Sequence, residues 1–122
     1  MDFSSIDPVV LIASLMVAST SILLAATGEL IVEKSGVLNL GVEGMMIIGA
    51  ICGFIICVEF NSPILGLFGA ALGGAFLSII FGLVTQILLA NQVASGLALT
   101  MFGLGLASLL GHSYTGIKPP YL

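Results

Sequence analysis

Four long, nearly uncharged apolar runs constrain this chain more than any other feature. A helix rising about 1.5 Å per residue needs about 20 apolar residues to cross a hydrocarbon core of roughly 30 Å. Residues 9–26 hold no charge, and residues 38–58 are apolar apart from Asn39 and Glu43. Residues 64–89 carry only Ser78, Thr85 and Gln86 as polar side chains, and residues 93–110 are again uncharged. The breaks at 27–37, 59–63 and 90–92 each hold a charge, an amide or a proline, as inter-helix loops do. The pattern predicts an all-α, polytopic transmembrane helix bundle of about four segments, with residues 1–122 as a single transmembrane domain.

Composition closes the other classes. With 59% hydrophobic and 7% charged residues, the chain lacks the charge that would cover a soluble domain of this length. Two basic residues, Lys34 and Lys118, against six acidic ones cannot neutralise a phosphate backbone, which excludes nucleic acid as a partner and leaves membrane lipid. The first run has the length of a signal peptide, and Ala25-Ala26-Thr27 loosely resembles a cleavage site. A signal peptide begins with a basic region, however, and Asp2 and Asp7 stand there instead, so the run reads as a retained membrane helix. Four spans put Lys34 and Lys118 on opposite sides, so charge does not orient the chain.

Lipid gives helices no hydrophobic reason to associate, and small residues must let their backbones approach. Sixteen glycines serve that need, among them the spaced pairs Gly49/Gly53 and Gly69/Gly73 and the series Gly103, Ala107, Gly111. General helix packing accounts for them better than a dedicated dimerisation motif. Cys52 and Cys57, five apart in one apolar run, suit packing rather than a disulfide. A single histidine, His112, offers no metal-ligand constellation, and no acid–base pair stands beside a nucleophile, so neither an enzyme nor a resident metal or cofactor is expected.

Two polar islands interrupt the apolar pattern. In the first, Asn39 and Glu43 share one face if the segment is helical, while Gly36, Gly41 and Gly44 argue that the helix is broken near residues 36–44. Glu43 then either faces a polar path, a partner or freed backbone amides, or sits at a helix N-terminus where the dipole holds it. The second island is Asn91, Gln92, Ser95 and Gly96, which offers hydrogen bonds to a polar solute or simply forms a turn.

At these islands the sequence resembles a known family. The run GELIVEKSGVLNLGVEGMMIIGA, residues 28–50, is similar to the signature of the permeases of ribose, branched-chain amino acid and nucleoside ABC importers. The run ANQVASGLALTMFGLGLASLLG, residues 90–111, resembles a later stretch of the permeases of nucleoside or simple-sugar systems. The resemblance implies a multi-pass permease of the bacterial inner membrane carrying nucleosides or simple sugars. It further implies a second permease subunit, cytoplasmic ATP-binding subunits and an extracytoplasmic substrate-binding protein or lipoprotein. Asn39, Gly41, Glu43 and Gly44 then line the path or hold the broken helix, with Asn91, Gln92, Ser95 and Gly96 as further candidates. Such permeases continue through more helices and a loop that grips the ATPase, so 1–122 corresponds to an N-terminal part. No phosphate-binding motif is present, since neither lysine follows a glycine. The rival readings are a small stand-alone proton-coupled transporter working through Glu43, and an assembly subunit in which only the glycine faces matter.

Overall fold

The computed structural model describes residues 3–120, which form helices and connecting turns in two compact units, one ending at Gly36 and the other beginning at Val37. Asp2 and the last two residues of the 118–122 loop lie outside the described residues.

The first unit is built on α1, Pro8–Lys34. Asp7 starts it: its Oδ1 accepts the Val9 N–H at 3.0 Å, and Pro8 occupies the first turn, where no intrahelical N–H is needed. Four polar side chains of this apolar helix are folded back on it. The hydroxyls of Ser14, Ser19, Thr20 and Thr27 donate to the carbonyls four residues earlier at 2.6–2.9 Å. Those four hydroxyls are thereby satisfied within the helix rather than left to face lipid. The apolar run ends at residue 26, but the helix does not. One glycine, Gly28, costs only about 1 kcal/mol relative to Ala, and the Glu, Leu, Ile and Lys that follow are compatible with helix. Termination comes at Gly36, whose φ of 88° is left-handed.

The second unit packs three helices: α2 (Val42–Glu59), α3 (Pro63–Gly82) and α4 (Gln92–Gly111). The α2–α3 turn uses Asn61 at φ 49°, a left-handed position that Asn tolerates, and the Ser62 hydroxyl then accepts the Leu65 N–H ahead of Pro63. The hairpin closes backbone to backbone. A Cβ on Gly53 would stand 2.9 Å from the Gly66 carbonyl, and one on Gly49 would stand 3.0 Å from that of Ala70. Gly73 lies against Cys52, and Gly69 lies under Ile56. Helix α4 runs parallel to α2: Gly44 meets Thr100 and Gly103, and Gly111 meets Ile51 farther along. A small apolar core of Ile48, Leu77, Phe81 and Leu99 joins the three helices.

The third apolar run, 64–89, is not one uniform helix. After Gly82 the chain widens into a π-helical stretch, Leu83–Ile87, and leaves it through Leu89 at φ 54°. Thr85 is buried there, its hydroxyl donating to the Phe81 carbonyl at 2.8 Å. The break before α4 therefore begins at Leu88, and α4 starts one residue before the apolar run that announced it. Antiparallel and parallel packing together bring the first turns of α2 and α4 to one end of this unit. The end of α2, the start of α3 and a 3-10 turn at His112–Tyr114 lie at the other.

Candidate functional site

The two polar islands meet where α2 and α4 begin. Backbone from Val37 to Gly41 is irregular, and α2 does not start until Val42. Its 18 residues rise about 27 Å, near the roughly 30 Å of a hydrocarbon core, and the apolar residues before it are unwound. Unwound backbone there needs hydrogen-bond partners, because lipid supplies none.

Side chains supply them. Leu38 N–H donates to Gln92 Oε1 at 2.8 Å, across 54 residues of sequence. Asn39 is buried, and its Oδ1 accepts the Gly41 N–H at 2.9 Å. Its Nδ2 points to the Met45 sulfur at 3.5 Å, a weak acceptor. The Leu40 carbonyl accepts the Thr100 hydroxyl at 3.2 Å, and the same hydroxyl lies 3.1 Å from the Gly96 carbonyl, an alternative acceptor. Gly96 is the pivot of the contact. A Cβ there would stand 2.9 Å from the Gly41 nitrogen and 3.0 Å from that of Leu40, so a side chain larger than hydrogen would push the segment off α4. Gly41 lies against the Gly96 carbonyl in return, with a Cβ position 3.2 Å from it.

The remaining candidates separate from this junction. Asn91 caps α4: its Oδ1 accepts from Val93 N–H at 3.0 Å and Ala94 N–H at 3.1 Å. Ser95 turns to another side of α4, where it joins Phe81, Val84, Leu99 and Phe102 around a groove of about 370 Å³. Glu43 and Asn39 do not share a helix face, because Asn39 precedes α2 while Glu43 sits exposed in its first turn. The expected break also ends earlier than residue 44. Gly44 lies inside α2, where a Cβ would stand 2.8 Å from the Thr100 Cα, so its smallness serves helix contact rather than unwinding.

Thr100 and Met45 escaped the sequence reading. Thr100 lies four residues beyond Gly96 and so on the same face of α4, a spacing that could have marked it once Gly96 was singled out. Met45 carried no signal, since a methionine in an apolar run looks like any packing residue.

The chain was compared with known proteins. The model of the family described as "Branched-chain amino acid transport system / permease component" matches residues 11–118. The chain is 44% identical over 98 residues to a "Putative glucose ABC transporter permease protein" of Haloferax volcanii, covering 80% of this chain and 30% of that protein. It is 35% identical over 111 residues to a guanosine ABC transporter permease protein of Bacillus subtilis, covering 86% and 34%. A nucleoside ABC transporter permease protein of Lactococcus lactis subsp. cremoris is 30% identical over 111 residues, covering 83% and 34%. The chain thus spans about a third of the length of the curated relatives it matches. No solved structure matches it.

Proposed function

The chain belongs to the branched-chain amino acid transport system permease family, as a multi-pass protein of the cell membrane, and from that premise we propose that it forms part of the translocation path of an ABC importer for nucleosides or simple sugars. The family is one of transporter permeases rather than enzymes. The importer would include a second permease subunit, a cytoplasmic ATP-binding subunit and an extracytoplasmic substrate-binding protein or lipoprotein. Nucleosides and sugars are the substrate classes because the relatives are named for glucose, guanosine and nucleosides.

One observation supports the reading most directly: the unwound segment braced by Gln92 of α4. Irregular backbone is tolerated at membrane depth where it lines a cavity or is buried in protein, and transporters place such breaks beside their substrates. Amides and hydroxyls rather than charges make up this junction, as suits a neutral, hydroxyl-rich solute. Asn39 and Gln92 are the residues we assign to holding the break, with Gly41, Gly44 and Gly96 allowing α4 to approach it. Glu43 would be a charged group at the mouth of the path.

The test is uptake of labelled nucleosides, ribose and glucose by cells deleted for the locus and then complemented. Loss and recovery of one of these uptakes is the expected result. If deletion leaves all of them unchanged, the substrate assignment is wrong.

A further inference from the structure

The opposite end of the second unit carries a structure that the translocation reading does not use. Tyr114 lies in the 3-10 turn after α4, and its hydroxyl donates to Glu59 Oε1 at 2.7 Å, 55 residues away in sequence. Its ring also meets Phe54 edge-on, with centroids 6.4 Å apart and planes at 88°. Both partners belong to α2. Glu59 is the last residue of that helix, where the negative end of the dipole disfavours a carboxylate, so a donor there has more to offset than at a neutral site.

Beyond Tyr114 the chain turns back on itself. Ile117 N–H donates to the Tyr114 carbonyl at 3.3 Å, and Gly116 takes φ 82°. The segment then reaches the α2–α3 hairpin, where Pro119 and Pro120 line an apolar groove of about 610 Å³ with Gly53, Phe54, Cys57 and Gly66. Gly53 and Gly66 lie where α2 and α3 meet backbone to backbone beneath this groove. Two consecutive prolines suit it, because neither brings a backbone N–H that an apolar wall would leave unsatisfied. Phe54 belongs to both features: it holds the Tyr114 ring and forms part of the groove wall.

We propose that residues 115–120 are a strap over the α2–α3 groove, anchored by the Tyr114–Glu59 hydrogen bond, and that breaking this anchor releases the strap and opens the groove. The strap sits at the end remote from the Asn39–Gln92 junction and does not depend on which solute is carried.

The two native cysteines make it measurable. Cys57 lines the groove, whereas Cys52 packs against Gly73 and is not among the groove residues. Membranes containing the full-length protein are treated with N-ethylmaleimide, and modification of each cysteine is followed by mass spectrometry. Tyr114→Phe and Glu59→Ala should each speed Cys57 modification about tenfold, the scale of one charge-assisted hydrogen bond, and leave Cys52 unchanged. The double variant should be no faster than either single one. An unchanged Cys57 rate overturns the anchor, and so does an equal gain at both cysteines. A second measurement leaves Tyr114 and Glu59 intact: Pro119→Cys should be joined to Cys57 by a short bifunctional maleimide. Failure of that crosslink overturns the strap itself.

Discussion

Asn39 and Thr85 are the buried polar residues among those described, and they solve the same problem differently. Thr85 returns its hydroxyl to its own helix, whereas Asn39 turns its amide onto the loop that carries it. Asn39→Ala should leave the buried Gly41 N–H without its acceptor, at a cost of about 1–3 kcal/mol in unfolding from detergent micelles. A loss below about 0.5 kcal/mol would mean that water or a carbonyl replaces it. Gln92→Ala acts on an exposed bond, so water can substitute in part and the cost falls to about 0.5–1.5 kcal/mol. The Leu38 amide should then exchange its hydrogen roughly two- to tenfold faster, and an unchanged rate would show that the bond does not persist. For Glu43→Gln, exposure in the first turn of α2 points to a helix-dipole contribution of about 0.3–1 kcal/mol. Uptake should be retained at least in part, and its complete loss would revive the proton-coupled reading.

Glycines divide by what a methyl group would meet, and that division belongs to the helices rather than to single residues. Beside Gly44 the α4 backbone is 2.8 Å from a Cβ position, so neither helix can yield without moving as a body. Nothing lies within 4 Å of such a position at Gly105, although it is also in α4. Gly44→Ala should therefore separate α2 from α4 and lower the unfolding midpoint. Gly105→Ala should hold or raise it, because Ala is favoured over Gly in helices by about 1 kcal/mol. Equal effects from the two substitutions would show that helix propensity, not close approach, governs these positions. Spacing alone could not make this distinction: Gly103 and Gly105 lie two residues apart in one apolar run, and only the first faces Gly44. The π-helical stretch at Leu83–Ile87 was equally hidden, since a widened turn leaves no mark in an unbroken apolar run.

At the scale of the molecule, four helices among the described residues have the length and composition to cross a membrane, and α1 buries none of its residues. Apolar side chains on every side of a helix are stable in lipid and costly in water. The chain should stay in the membrane pellet after alkaline carbonate extraction, and its release into the supernatant would contradict a multi-pass protein. Family membership was legible at the same scale, because the 28–50 run resembles the signature of these permeases and lies within the 11–118 stretch that the family's model matches.

The sequence by itself determined the solvent and marked the four runs long and apolar enough to cross it, because bilayer thickness sets helix length and a chain with 7% charged residues suits no other medium. It also marked both polar islands, since polar groups stand out where apolar ones are required. Only the tertiary structure decided which groups meet. Gln92 reaches Leu38 because α2 and α4 run parallel with their first turns together, and Tyr114 reaches Glu59 because their far ends coincide. Those pairings depend on helix direction and rotation, which are set by glycine contacts between helices, and no local spacing in the sequence encodes them.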